Sequence, residues 1–315
     1  MPALVTGGAG FIGSHLVDAL LERGEEVVVL DDLSTGRRDN LTAALERGAE
    51  LVEGDVTDPA TVSELVEGRR PGAIFQLAAQ IDVRVSVSDP VFDLGVNVGG
   101  TINLLEAARR AEVGRFVLAS TGGAIYGEGS DRDLPLDETA ECLPDAPYGQ
   151  SKYAAEGYLS LYERLYGLST AALRLGNVYG PRQSFDGEAG VVAIFSHCLV
   201  HGQSPTVYGD GTQTRDYVYV GDVARAFLLA GESGRAGTYN VGTGIGTSVL
   251  ELLDSLERSA GVSVERKSEP LRKGELRASA LDSSRIRDEL GWEPAVGLDE
   301  GLAQTFAWYR ASDAA

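Results

Sequence analysis

Short, fully apolar runs alternate with amphipathic stretches along the first 175 residues. Ala3-Leu4-Val5 leads through a glycine-rich Thr6 to Gly13 into a stretch with Leu16, Ala19, Leu20 and Leu21 on one helical side. Val27-Val28-Val29-Leu30 has no polar alternation, which predicts a strand buried on both faces. The rhythm repeats: Leu51-Val52 running to Asp55, a helix Val62 to Glu67, a strand Ala73-Ile74-Phe75, a helix Asn97 to Arg110 and a strand Arg115 to Leu118. A helix Tyr148 to Tyr166 and a strand Thr170 to Arg174 complete it. Strands alternating with helices predict an α/β fold with a doubly wound parallel sheet.

Beyond Gly180 the pattern loosens. Glycine and proline punctuate Gly202 to Gly211, a helix is predicted over Val223 to Ala230 and a strand at Tyr239-Asn240-Val241. Ser248 and Glu251 have the spacing of a capping box. The predicted organisation is a Rossmann-type domain over residues 1–175 and a smaller α/β lobe over 176–315, with some segments of the latter returning to the first domain. The expected ligand cleft lies between them, at the carboxyl ends of the strands.

Gly7, Gly10 and Gly13 follow a strand and open a helix, and Asp31 ends the next strand. Such glycines permit a tight turn and let a pyrophosphate reach the helix N-terminus, while a carboxylate at Asp31 can take both ribose hydroxyls of an adenosine. A 2'-phosphate would be repelled there, which favours NAD over NADP, although Arg37 and Arg38 nearby could serve a phosphate. Asp55-Val56 can meet the adenine, or Asp55 can be a plain loop acid. Leu77-Ala78-Ala79 falls beside the pyrophosphate and nicotinamide ribose, and Asn97 is either a ligand neighbour or a helix cap.

Tyr148 and Lys152 stand one helical turn apart, so an ammonium can sit beside a phenol hydroxyl. A nearby cation favours phenolate and can bring a tyrosine towards the working pH as an acid/base.

Charge and cysteine content narrow the class. The 47 acidic against 27 basic residues give a net charge of −20, unsuited to nucleic acid or an anionic membrane. Any phosphate must then be met by backbone N–H groups and local arginines, for which Arg174, Arg182, Arg215 and Arg272 are candidates. Cys142 and Cys198 have neither disulfide-framework nor zinc spacing, so no metal site is expected and a reducing cytoplasm fits. No signal peptide is expected, and no apolar run approaches the ~18 residues of a membrane span.

From residue 3 to about 308 the chain resembles the extended short-chain dehydrogenase/reductases, the NAD-dependent epimerase/dehydratase family, and among them the nucleotide-sugar 4-epimerases. The resemblance rests on Val5 to Gly13, Ser120-Thr121-Gly122-Gly123-Ala124-Ile125-Tyr126-Gly127, Tyr148 to Lys152, Leu173 to Pro181 and Arg215 to Ala224. It implies NAD as cofactor, with Phe11, Ile12, Asp32, Ser34, Thr35, Gly36 and Val178 joining the contacts. It also implies Tyr148 as acid/base, with Lys152 lowering its pKa and binding the nicotinamide ribose. A Ser or Thr after the fifth strand would bind the sugar hydroxyl. Relatives carry it four residues before the Tyr-Gly of that block, which here is Gly122. Thr121 can stand in if the backbone bulges, the alternatives being Ser120 or water.

The resemblance implies a UDP-sugar substrate: Asn177, Arg215 and Arg272 on its pyrophosphate, Glu275 on the uridine ribose, and Thr206 and Tyr208 beside the uracil. Ser279 stands where some relatives have a tyrosine that closes the pocket. The expected activity is therefore C4 epimerisation of UDP-glucose and UDP-galactose, extending to the N-acetylhexosamines. UDP-glucuronate, or sugar-nucleotide dehydratase or reductase chemistry, is the alternative, though dehydratases need an acid that Gly123 and Ala124 do not supply. Homodimerisation through the helices at 97–110 and 148–166 is implied as well.

Overall fold

The computed structural model describes residues 1–129, 132–186, 190–271 and 276–313. Its centre is a seven-stranded parallel sheet of β1 (Ala3–Thr6), β2 (Val27–Asp31), β3 (Glu50–Glu53), β4 (Ala73–Gln76), β5 (Arg115–Thr121), β6 (Thr170–Leu175) and β10 (Gly237–Val241), in the order 3-2-1-4-5-6-10. The apolar runs form strands because each has two faces to bury. Val5, Val29, Phe75, Val117 and Leu173 line one face, while Leu4, Val28, Leu30, Ile74, Phe116, Leu118 and Ala172 line the other.

Helices cover both faces. α1 (Phe11–Glu22) packs on one side with α10 (Val220–Ser233), while α3 (Pro59–Arg69), α6 (Gly100–Arg110) and α8 (Pro147–Tyr166) cover the other. Shorter turns connect them: α2 (Thr42–Glu46), α4 (Val83–Ser88), α5 (Pro90–Leu94) and α7 (Gly122–Ile125). The helix expected from Asn97 begins earlier, running without a break from α5 through a π-helical turn into α6. Gly95–Gly99 is the π-helical turn and α6 continues from Gly100, with the Thr101 hydroxyl donating to the Asn97 carbonyl (2.6 Å) within it.

The strand order reverses beside β1, which opens a crevice above the carboxyl ends of β1 and β4. Over it lies a second cluster of elements: β7 (Asn177–Tyr179), β8 (Thr206–Tyr208), β9 (Thr214–Tyr219), β11 (Gly246–Ser248) and β12 (Lys267–Glu269), with α9 (Val191–Val200), α11 (Val249–Ala260) and α13 (Leu298–Asp313), while α12 (Ser284–Leu290) packs back on β10 and α10. β11-β9-β7 form one small sheet and β12-β8 another. Tyr179, Phe195, Val207, Tyr217, Leu252, Leu256, Leu302 and Phe306 build its own core. α11 starts at the Ser248/Glu251 capping box, with both reciprocal hydrogen bonds present. β10 and α10 return from this stretch to the first sheet, so the chain crosses the cleft repeatedly.

Candidate active site

The dinucleotide cradle is built by close approach. Gly7 has φ +70°, and a Cβ there would stand 2.5 Å from the Ala78 amide nitrogen. A Cβ on Gly13 would collide with the Gly7 carbonyl. Gly10 is extended and caps α1 without a side chain, and the first turn holds no acid, so the N–H groups of Phe11 and Ile12 remain for an anion. The donor set thus fits a pyrophosphate. Asp31 is buried at the end of β2, where its carboxylate accepts from the amides of Ala9 (2.8 Å) and Leu33 (2.9 Å). Burial raises its pKa, against the pull of those two bonds.

Asp32, Ser34 and Thr35 are exposed on the loop after β2, with Ser34 donating to Asp32. Gly36 folds back against Ala9, whose carbonyl accepts from the Arg37 amide (3.0 Å). The arginines that could have served a 2'-phosphate face acids instead: Arg38 pairs with Glu53 at 2.9 Å and Arg37 with Asp186 at 3.9 Å. Asp55 lies in the turn past β3 rather than on the strand, and accepts from the Thr57 amide. Val56 is buried beneath Gly100. Leu77 and Ala78 both donate their amides to the Thr6 carbonyl, which ties the β4 exit, including Ala79, to the β1 exit. Asn97 is no cap: its side chain accepts from the Gln80 amide and donates to the Gln80 carbonyl and to Asp93.

Tyr148 stands on the first turn of α8 and Lys152 one turn on, buried, its ammonium donating to the Ala119 carbonyl at 2.9 Å. Burial pushes the Tyr148 phenol up to about 12, the hydrogen bond with Thr121 lowers it, and the Asp93 charge raises it further. Desolvation thus dominates, and the downward pull expected from Lys152 is not among the causes that act on the phenol. Burial likewise brings Lys152 down to about 8, opposed by the charges of Asp93 and Glu156.

Thr121 and Ser120 part company at the end of β5. Thr121 is the last strand residue and meets Tyr148, whereas Ser120 donates to Glu156 at 2.6 Å inside a buried cluster. There Arg174 holds Glu156 through three bonds of 2.7–3.2 Å and donates to Tyr126 (2.8 Å), which donates to Asn240 (2.9 Å). Burial pulls Arg174 down, but Glu156 and Tyr126 more than reverse this. A side chain at Gly122 would not reach the cleft: its Cβ would stand 2.5 Å from a Leu281 methyl. The chain turns into α7 immediately after Thr121, so the strand end itself supplies the adjustment that the two glycines suggested.

Arg174 and Arg182 are thus not free for phosphate, since Arg182 pairs with Asp18 at 2.7 Å. Of the expected nucleotide contacts, Asn177 is exposed at the start of β7, with its Oδ1 facing Gly123, and Val178 packs against the sheet core. Thr206 and Tyr208 bracket β8, and Arg215 lies half-buried on β9, donating to the Thr214 carbonyl. Ser279 is buried. Arg272 and Glu275 lie outside the described residues. Sequence reasoning overlooked Glu156 and Asp93. Glu156 shares the helical face of Tyr148 and Lys152 at the next i+4 step, and Asp93 stands four residues before Asn97, so spacing could have flagged both.

A doubly wound parallel sheet, an uncapped helix behind a glycine turn, and a Tyr/Lys pair at the cleft define a nicotinamide-dependent short-chain dehydrogenase/reductase. The chain belongs to the NAD dependent epimerase/dehydratase family, whose model matches residues 3–242. It is 48% identical over 312 residues to the UDP-glucose 4-epimerase of Mycolicibacterium smegmatis, covering 98% of this chain and 99% of that protein. Among solved structures, the UDP-glucose 4-epimerase of Thermotoga maritima with UDP-glucose superposes with a TM-score of 0.95 at 46% identity, covering 99% of each chain. That of Thermus thermophilus, in complex with NAD, gives 0.93 at 47% identity, covering 99% of this chain and 100% of the other. The protein is an enzyme and NAD is its cofactor.

Proposed function

We propose that the protein interconverts the C4 epimers of a UDP-hexose, UDP-glucose and UDP-galactose first. NAD, which the turn from Gly7 to Gly13, the start of α1 and Asp31 would hold, would supply the acceptor and donor for the C4 hydride and a positive charge that favours phenolate at Tyr148. Tyr148 removes the proton of the sugar 4-hydroxyl while Thr121 holds the oxygen, and returns a proton after the 4-ketosugar has turned about its pyrophosphate. Lys152 supplies a fixed ammonium beside the phenol. Turning requires the nucleotide to be gripped and the sugar held loosely, a division to which Asn177, Thr206, Tyr208 and Arg215 contribute from the second lobe, with Arg272 and Glu275.

The observation that carries this reading is the contact between Thr121 and Tyr148 beside an open position 123. A Cβ on Gly123 would have only Asn177 Oδ1 (3.7 Å) and Thr121 Oγ1 (4.0 Å) near it, so an acid there would face the reacting sugar, and glycine provides none. This favours oxidation and re-reduction over elimination. The small Ser279 supports acceptance of UDP-N-acetylhexosamines as well. Purified protein incubated without added NAD should epimerise UDP-glucose, and UDP-GlcNAc more slowly, as resolved by chromatography of the sugar nucleotides. Loss of all turnover in Tyr148→Phe is expected, and no epimer from any UDP-sugar would sink the reading.

A homodimer is part of the same proposal. Val87, Val91, Phe92 and Leu94 on α4 and α5, and Tyr153, Tyr158, Leu165 and Tyr166 on α8, are exposed apolar side chains, whereas Leu104, Leu105, Ala107 and Ala108 of α6 are buried. Such a band suits a second copy of the chain. Sedimentation velocity should give a dimer that Phe92→Asp dissociates; a monomeric wild type at micromolar concentration refutes it. The two free cysteines suit a cytoplasmic setting.

A further inference from the structure

Asp93 has no part in the chemistry above, yet it is fully buried beside it. It sits on α5, whose other side chains Val91, Phe92 and Leu94 point to solvent. Its carboxylate accepts from Gln80 Nε2 (2.9 Å), Asn97 Nδ2 (3.0 Å) and Ser151 Oγ (2.5 Å). These three donors are neutral, and they come from three places: the loop leaving β4, the π-helical turn, and α8 between Tyr148 and Lys152. An ionised carboxylate removed from water is costly without an opposing charge. Two acids act on Lys152, Asp93 from α5 and Glu156 from its own helix, and Glu156 already holds Arg174 of β6 through three hydrogen bonds. Around Tyr148 stand Thr121 of β5 and again Asp93. Asp93 is thus the one of the two acids not neutralised by an arginine partner.

We propose that Asp93 is the positioning residue of the catalytic pair: accepting from Gln80, Asn97 and Ser151, its carboxylate locks α8 to the loop after β4 and sets one negative charge in the surroundings of both Tyr148 and Lys152. The inference rests on the assignment of Tyr148 and Lys152 as the reacting pair. One negative charge acting on both groups favours the protonated form of each, so removing it should move both limbs of the pH–rate profile in the same direction. A residue that merely supports the fold would lower the rate without moving the limbs.

The experiment compares pH–rate profiles of wild type, Asp93→Asn and Asp93→Glu, with folding checked by circular dichroism. Asp93→Asn should shift both limbs to lower pH by on the order of one unit and slow turnover at least tenfold. Asp93→Glu, which keeps the charge, should restore the limbs at a reduced rate. A phenolate-absorbance titration, taken as the difference from Tyr148→Phe, should show the same downward shift without turnover. Limbs unchanged in Asp93→Asn overturn the inference, whereas an inactive wild type overturns the proposed function instead. Should Asp93→Asn fail to fold, Ser151→Ala severs the link to α8 while leaving the charge. It should cost about tenfold in turnover with near-normal NAD binding, and turnover within about twofold of wild type overturns the inference equally.

Discussion

Thr121 and Ser120 are chain neighbours with opposite duties, and the difference is one of strand geometry. Alternation sends Ser120 into the buried Glu156–Arg174 cluster and leaves Thr121 at the strand end against Tyr148. Their substitutions should therefore separate rate from stability. Thr121→Val is expected to lower kcat by roughly 10²–10³-fold, since it removes a hydrogen bond to the reacting oxygen, with little change in melting temperature. Ser120→Ala removes a buried hydrogen bond to a charged group, worth about 1.5–3 kcal/mol, which lowers the melting temperature by roughly 3–6 °C and leaves kcat within about threefold. Steady-state kinetics and thermal unfolding of the two variants check this, and the reverse pattern would hand the sugar hydroxyl to Ser120. In the sequence both hydroxyls stood open as candidates, because which one is consumed by Glu156 depends on an acid 36 residues away. For Asp93 only the Asn97 partner, four residues on, was within reach of spacing, since its other two partners lie 13 and 58 residues off.

At the level of elements, legibility follows burial. β1, β2, β4, β5 and β6 read clearly from sequence because each is covered on both faces and is largely apolar, whereas the edge strand β3 shows only its central Leu51-Val52 between exposed glutamates. Apart from the six-residue β9, the second lobe's strands have three residues each, and β12 is exposed along its whole length, so no periodicity marks these short ones. Val191–Val200 is a helix whose nearly unbroken apolar run carries no helical period, a case in which strand and helix look alike. What holds this lobe's loops to the sheet is also non-local. Asp216, buried on β9, accepts from the amides of Thr243, Gly244 and Leu281 and from the Thr243 hydroxyl. Burial raises its pKa, and these four bonds oppose the rise. The Arg215–Ala224 block thus carries a ligand candidate and a structural anchor in adjacent residues, which the sequence pattern does not separate. The cradle was more legible than either, since glycine turn, helix start and acid all fall within 31 residues of the N-terminus.

For the molecule as a whole, the dominant electrostatic fact is a net charge of −20, with only three lysines among its 27 basic residues. Two effects of salt compete. The surface ion pairs, such as Arg38–Glu53, Arg69–Glu50 and Arg110–Glu67, lose attraction as ions screen them, but exposed pairs are worth about 0–1 kcal/mol each to begin with. Against them stands the mutual repulsion of the uncompensated carboxylates, which acts across the whole surface and is strongest when the screening length is long. Folding concentrates that charge and dimerisation would double it, so the repulsion should win. The melting temperature is then expected to rise by several degrees between roughly 0.01 M and 1 M sodium chloride, as the Debye length falls from about 30 Å to about 3 Å. Most of the gain should come below about 0.3 M, where screening changes fastest, and the curve should flatten beyond. Sodium chloride is the right salt because sulfate or phosphate would add a separate strengthening of apolar burial. Differential scanning calorimetry across that series checks the expectation, and a melting temperature that falls with sodium chloride would mean that specific ion pairs, not net repulsion, govern the stability of this fold.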